Sequence, residues 1–408
     1  MTDDLELRIA RDDDFGQLGE LLSGAFLDDA HDEVLDVERM VFEPDRTHVV
    51  ADGDRLVATG GVLTREMSVP GAVVPTAHVT AVGVAATHRR RGLLRRIMTA
   101  QLEAIRNRGS EPFAVLWASE DPIYGRFGYG LGAWHVSYKI AKLETSLPGE
   151  PAHGRLRQVV PSTSRDELAA VYERVRLSRP GYSSRPGRWW EHLTADPKPR
   201  RRGMTALRGV LYEVDGRVDG YALWRVKGGW GDTGPSGEVS VNEVVAESPE
   251  AYAALWRFLL SIDLTRTVQY MFGAADEPLA HLVTNASGLA ASMSPSLWVR
   301  IVDVPAALAA RRYAAEIDIV LEVADDLLPD NSGRWHLAGG TSSAKCERTD
   351  AMPDLSLDVR TLGAAYLAGT SLLSLAAAGR VTEHRQGALY EASAAFGWHR
   401  APVTLEIF

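Results

Sequence analysis

Hydrophobic positions along the chain change period several times, and each change marks an element. Leu5 to Ile9 alternates apolar and polar residues and predicts a strand. Asp12-Asp13-Asp14 follows as an N-cap cluster for a helix with apolar positions at Phe15, Leu18, Leu21, Leu22 and Phe26. Thr47 to Ala51 and Leu56 to Leu63 read as strands of a hairpin across Asp52-Gly53-Asp54. Met67 to Val74, broken by Pro70-Gly71, predicts another hairpin. Val79-Thr80-Ala81-Val82-Gly83-Val84 is apolar and β-branched, the signature of a buried strand. After the turn Thr87 to Gly92, apolar residues at Leu94, Ile97, Met98, Leu102 and Ile105 recur at helical spacing. They stop at Arg106-Asn107-Arg108-Gly109, with cations in the last turn and Gly as the cap. Pro112 to Ser119 predicts a second buried strand. Val136 to Ile140 is expected to close this first unit, and Pro148 to His153 reads as a linker.

A second unit opens with Ser164-Arg165-Asp166-Glu167, a capping box leading into Leu168, Val171, Tyr172 and Val175. The basic stretch Arg185 to Arg202 contains Trp189 and Trp190, which are expected to pack it onto the first unit rather than form a nucleic-acid face. Gly209 to Val214 and Arg217 to Trp224 are strands joined by Asp215-Gly216. Val241 to Val245 and the helix from Pro249 through Leu255, Phe258 and Leu259 repeat the strand–turn–helix of the first unit. Their turn, Ala246 to Glu250, has neither Gly nor Arg. Ser248 caps the helix, Pro249 takes its first position, and the two glutamates repel an anion. From Leu297 the pattern changes again, with strands at Trp298–Val302, Ala315–Glu322, Trp335–Ala338 and Asp354–Val359. A small-residue helix is expected over Leu362–Leu375. The domains predicted are 1–147, 148–295 and 296–408. The tail Val403 to Phe408 is an apolar, strand-like run, and an apolar end of this kind is expected to be docked.

Composition adds a cellular setting. Hydrophobic content of 45% with 24% charged residues is that of a soluble globular protein. The single cysteine, Cys346, excludes an internal disulfide, so a reducing compartment is expected. Met1 to Asp4 lacks the apolar run of a secretory signal, and no segment is long and apolar enough to span a membrane. A cytoplasmic protein without membrane partners is expected. The formal charge of −10, from 44 Lys and Arg against 54 Asp and Glu, disfavours nucleic acid and suits a cationic ligand. Ala25 to Glu43 carries Asp28, Asp29, Asp32, Glu33, Asp36, Glu38 and Glu43. It reads either as a carboxylate face for an amine-rich ligand or as a solvated helix face. The eleven histidines show no H-x-x-x-H spacing and have no cysteine partner, so no metal is expected. There is neither a G-x-S-x-G elbow nor a GxxxxGK[ST] loop.

The chemistry concentrates at the basic turn. A strand entering a helix through a Gly-containing turn leaves backbone N–H groups unpaired at the helix start, and these with three arginines suit a phosphate. Read as Arg89-x-x-Gly92-x-Leu94, the turn resembles the acetyl-CoA pyrophosphate loop of the GNAT acetyltransferase superfamily, Gln/Arg-x-x-Gly-x-Gly/Ala, with Leu94 replacing the last small residue. The strand ending in Ser119-Glu120, followed by Tyr124 and by Gly125-Arg126-Phe127-Gly128-Tyr129-Gly130, resembles the Eis branch. Its members are multi-domain enzymes that acetylate amines, including aminoglycosides.

The resemblance implies a mixed α/β architecture: tandem GNAT folds, the second degenerate, and then a sterol-carrier-like domain. It implies acetyl-CoA as co-substrate, with Val82, Gly83 and Val84 pairing with pantetheine. Arg90, Arg91, Gly92, Leu93, Leu94 and Arg95 would then hold the pyrophosphate, with Ser119 and Glu120 at the neighbouring strand end. Gly83 is expected to permit the close backbone approach. Tyr124 is implied as general acid, with Phe127 and Tyr129 as packing, and the C-terminal carboxylate of Phe408 as general base. The resemblance also implies a homo-oligomer, specifically a hexamer. Ile407 departs from the family, where an acidic residue helps to hold the amine; Glu406 or the Asp28 to Asp36 cluster is the substitute to examine. The competing reading is a carrier or regulatory protein that keeps the fold without turnover and holds an apolar ligand in its C-terminal domain.

Overall fold

The computed structural model describes residues 5–149 and 153–408. Met1 to Asp4, and Glu150 to Ala152 of the expected linker, lie outside the described residues. The chain divides into two units: one of residues 1–133, 296–402 and 407–408, the other of residues 134–295 with Val403–Glu406.

The first unit holds a seven-stranded sheet. Its first five strands in spatial order are β1 (Leu5–Ile9), β2 (His48–Asp52), β3 (Arg55–Val69), β4 (Ala72–Val84) and β5 (Phe113–Trp117), followed by Leu297–Ile301 and Gly130–Leu131. Within it β4 and β5 run parallel and every other pair is antiparallel. The two expected hairpins share their long strands: β3 runs for 15 residues and β4 for 13, joined through Pro70-Gly71. Asp12–Asp14 forms a short 3-10 turn ahead of α1 (Phe15–Phe26). The Asp14 carboxylate is bonded to Arg8 and to the Arg11 N–H, so it does not cap α1. A second helix, α2, spans Asp32–Arg39. The helix predicted after the basic turn is α3 (Leu93–Arg108), ended by Gly109 at φ +70. It buries Leu93, Ile97, Met98, Leu102 and Ile105. At about 1.5–3 kcal/mol for each fully buried apolar side chain, this face is what holds α3 to the sheet.

The C-terminal part of this unit is a five-stranded sheet in the order Ala344–Arg348, Gly333–Gly339, Ile317–Ala324, Leu355–Asp358, Val381–Glu383. The helix expected over Leu362–Leu375 is two helices, Val359–Tyr366 and Leu372–Ala377. Between them Ala368 adopts φ +67, and Gly369 comes so close to Gly132 that a Cβ would stand 2.2 Å from its carbonyl oxygen. The core beneath holds Arg311, fully buried, which donates to the carbonyls of Arg312, Tyr366 and Phe396. The rings of Tyr313 and Phe396 lie 4.8 and 4.9 Å from its guanidinium carbon.

Two strands join other sheets than their order in the sequence suggests. Leu297–Ile301, expected with the C-terminal domain, pairs with β5. All five of its residues are buried, and its two sides enter different cores, as an interior strand requires. Trp134–Ala141, expected to close the first unit, lies in the second unit against Thr265–Gly273 and Ser292–Pro295.

The second unit is a seven-stranded sheet ordered Ser292–Pro295, Trp134–Ala141, Thr265–Gly273, Gly237–Ala246, Arg217–Lys227, Arg208–Val214, Arg155–Val159. Its one parallel pair, Gly237–Ala246 with Thr265–Gly273, is connected through the helix Pro249–Ser261. The helix Arg165–Arg176 starts without a side-chain cap, since Ser164 sits at φ −121 and ψ 24 and bonds through its carbonyl. Trp190 packs with Leu168, Val171 and Tyr172 in this unit's own core, which corrects the expectation that it binds the stretch to the first unit. The tail Val403–Phe408 is not a strand: Val403 to Glu406 are buried, and Ile407 is 57% exposed. Among the described residues no helix is long and apolar enough to cross a membrane, and no group of three or more His, Cys, Asp or Glu could hold a metal.

Candidate active site

The site begins where β4 and β5 part. Their pairing runs Thr76↔Phe113, Ala77↔Ala114 and His78↔Val115, then stops, although β4 continues to Val84 and β5 to Trp117. On its other side β4 stays with β3 as far as Val84, across a bulge between Thr80 and Gly83 in which Ala81 adopts φ +51. A bulge bends its strand and increases the local twist. From Val79 onward, β4 therefore has an edge toward β5 that no strand among the described residues covers. Gly83 also lies close to α1. A Cβ there would meet Leu22 Cδ2 at 3.3 Å and Ala25 Cβ at 3.4 Å, so α1 packs closely over this residue.

Beyond β4 the chain passes a 3-10 turn, Ala86–His88, and reaches α3 through Arg90 at φ +63 and Gly92 at φ +78. Gly92 is the N-cap and has no side chain with which to accept a bond, so the first N–H groups of α3 have neither an intrahelical nor a capping partner. A Cβ on Gly92 would touch nothing within 4 Å, so glycine is required here for its φ alone. Arg89, Arg90, Arg91 and Arg95 are exposed around this start, while Leu93 is buried. Leu94 turns into the cluster of Met98, Leu102 and Tyr124, which is how the unusual residue fits without blocking the helix start. His88, 3.1 Å from the Asp52 carboxylate, ties the turn to the β2–β3 hairpin.

Across the opening, Ser119 and Glu120 are exposed just past β5, and Glu120 is the N-cap of the short helix Asp121–Tyr124. Tyr124 is 7% exposed and shares a core with Val79 and Leu116. Its hydroxyl is hydrogen-bonded to none of the described residues. Burial first, and then the Glu120 charge, push its pKa up to about 12. Tyr129 and Phe127 are fully buried core residues, with the Tyr129 ring 6.0 Å from that of Tyr124.

Phe408 completes the arrangement. Its ring lies 4.7 Å from the His78 ring at 60°, an edge contact at the last paired residue of β4. His78 is completely buried, and its Nδ1 is 3.0 Å from the Thr76 carbonyl. Burial, then the Arg65 and Arg46 charges, hold its pKa well below the ordinary imidazole value, so the ring is neutral at pH 7. Sequence reasoning missed His78; a histidine inside an apolar strand looks like any core residue until its register is known. The acidic residues expected to stand in for one at position 407 differ in setting. Glu406 is buried 3.5 Å from Arg185 Nε in the second unit. Asp28 and Asp29 are exposed in the loop between α1 and α2, and Asp32, Glu33, Asp36 and Glu38 are exposed on α2, as on a solvated face.

Known proteins share this organisation. Residues 6–132 and 181–301 each match a family described as an acetyltransferase (GNAT) domain, and residues 304–405 match a sterol carrier protein domain. An uncharacterized N-acetyltransferase of Streptomyces avermitilis is 45% identical over 401 residues, 97% of this chain and 98% of that one. The N-acetyltransferase Eis of Mycobacterium tuberculosis is 36% identical over 399 residues, covering 94% and 95% of the two chains. The crystal structure of Eis1 from Mycobacterium abscessus superposes with a TM-score of 0.84 at 32% identity, covering 99% of this chain and all of that one. With relatives matched from end to end at this level of identity, the chain belongs to the Eis family of GNAT N-acetyltransferases.

Proposed function

We propose that the chain transfers an acetyl group from acetyl-CoA to a primary amine of a cationic small molecule of the aminoglycoside, polyamine or lysine type. Tyr124 acts as general acid and the C-terminal carboxylate of Phe408 as general base. The observation that carries this reading is the seat of Phe408 against His78, at the point where β4 and β5 part. The uncovered edge at Val82, Gly83 and Val84 suits the pantetheine amides, as an added strand would. The N–H groups of Leu93, Leu94 and Arg95 behind Gly92, with the Arg90 and Arg91 side chains, suit the pyrophosphate. Ser119 and Glu120 flank the same opening.

In the reaction the Phe408 carboxylate takes a proton from the ammonium, directly or through one water. The freed amine then bonds to the acetyl carbon as the C–S bond breaks, Tyr124 passes its proton to the departing sulfur, and the second proton, shed by the new amide nitrogen, returns to the Tyr124 phenolate. The raised pKa of Tyr124 keeps that proton in place at neutral pH. A neutral His78 adds no cation of its own where the ammonium must approach. The net charge of −10 favours a cationic acceptor in the same sense. Against the carrier reading stands Arg311, whose guanidinium occupies the core an apolar ligand would need. The enzyme is proposed to work in the cytoplasm as a homo-hexamer.

The test is mass spectrometry of polyamines, aminoglycosides and lysine peptides after incubation with acetyl-CoA. Mass gains of one or more acetyl units name the acceptor; no gain on any amine refutes the substrate class. Appending one glycine to Phe408 displaces the carboxylate and leaves the ring. Parental turnover in that variant would place the base elsewhere.

A further inference from the structure

The second unit has an opening of the same kind. The parallel pair Gly237–Ala246 and Thr265–Gly273 stops at Val241↔Tyr270, although both strands continue. Just past that point Glu243 is buried, and Arg185 Nη1 donates to its Oε1 at 2.7 Å. Arg185 is buried too, with its guanidinium carbon 3.9 Å from the Tyr172 ring centroid and 5.3 Å from that of Trp190. The third charge comes from the end of the chain: Glu406 Oε2 lies 3.5 Å from Arg185 Nε.

The tail around Glu406 is fitted to the same place. Val403 and Leu405 share a core with Val245 and with Ala274, just past the end of the partner strand. The Val403 N–H donates to the Pro180 carbonyl at 3.1 Å. Gly181, at φ +92, lies so close that a Cβ would stand 2.6 Å from the Val403 oxygen.

One buried cation between two buried carboxylates is a poor way to gain stability. Desolvation penalises each buried ion heavily, and apolar residues of the same volume often serve as well or better. What such a group supplies is register. Were the tail to slip by one residue, Leu405 or Ile407 would face Arg185, and the guanidinium would be one carboxylate short. We propose that Arg185, held by Glu243, is a register clamp for the C-terminal tail, reading Glu406 and so fixing how far Phe408 extends. Only Ile407 separates the clamp from Phe408, and two residues of chain span at most about 7 Å. Ile407 is more than half exposed and contributes little hold of its own. Arg185 and Glu243 are thus positioning residues, an assignment that rests on the Phe408 carboxylate being the base.

The test uses the full chain carrying Glu406→Leu, with Glu406→Gln as a milder form that keeps an acceptor. Hydrogen exchange at residues 403–408 is followed by mass spectrometry beside kcat and the KM for acetyl-CoA. A tail held by packing alone keeps its protection when Glu406 becomes leucine. The clamp predicts exchange in that peptide about tenfold faster or more, with less change in Glu406→Gln. It also predicts kcat about tenfold lower and KM within about twofold, a tenfold change being about 1.4 kcal/mol. Unchanged exchange in Glu406→Leu overturns the clamp, whatever happens to kcat. Faster exchange with parental kcat supports the clamp and overturns Phe408 as the base.

Discussion

The strand–turn–helix that parts from its neighbour occurs twice in this chain, and the two copies differ where the helix begins. In the first, α3 starts behind Gly92, which has no side chain to accept a bond, and arginines surround the exposed start. In the second, Ser248 Oγ accepts from the Ala251 N–H, and Pro249 has no N–H to leave over. The acidic residue beside that cap, Glu247, is held by Arg174 and Arg217. One helix start is finished from within and ringed with satisfied charge; the other has uncapped donors and a dipole of the kind that suits an anion. The openings follow suit. The first leaves a strand edge uncovered, while the second has the chain's own Val403–Glu406 beside it. On the proposed reading, the same backbone serves as a binding site or as a scaffold according to how its helix is capped and its gap filled.

Substitutions that act on one copy should leave the other indifferent. The largest effect is expected from Tyr124→Phe, which should lower kcat by about two to four orders of magnitude, the range for a lost general acid, with coenzyme A binding retained. Near-parental turnover would reduce Tyr124 to a packing residue. Next, Arg90→Glu should raise the KM for acetyl-CoA by about ten- to a hundredfold, the worth of a charged hydrogen bond. Glu247→Gln, at the equivalent turn, should leave that KM unchanged. An equal rise in both would erase the distinction between the turns. Ser248→Ala should cost about 1 kcal/mol of stability through the lost cap and show as a lower melting temperature, without change in KM. The smallest effect concerns pH. An ordinary phenol is half ionised near pH 10. Because burial and then Glu120 push Tyr124 up to about 12, it keeps its proton there, and kcat should not fall between about pH 8 and pH 10 on its account. A fall in kcat centred near pH 10 that Tyr124→Phe abolishes would contradict this.

What could be read in advance was local. The strand to Val84, the Gly92 turn and the Gly109 cap each depend on neighbours in sequence, and all appear where the pattern put them. Sheet membership was not legible, because Leu297–Ile301 and Trp134–Ala141 are strands by their own pattern but acquire their sheets from distant partners. The break in the helix over Leu362–Leu375 was not legible either: its small residues favour a helix, yet Ala368 turns to φ +67 where Gly369 meets Gly132, a neighbour distant in sequence. Glu406 looked available to hold an amine because its partner, Arg185, is remote in the chain. The closeness of α1 to Gly83 was equally illegible, because Leu22 and Ala25 are remote from it in the chain.

The central claim is that the first opening binds coenzyme A and the second does not. Isothermal titration of coenzyme A into the intact protein measures this directly. The account predicts one molecule bound per chain, with heat lost in Arg90→Glu and unaffected in Glu247→Gln. Two molecules per chain, or undiminished binding in Arg90→Glu, would contradict it.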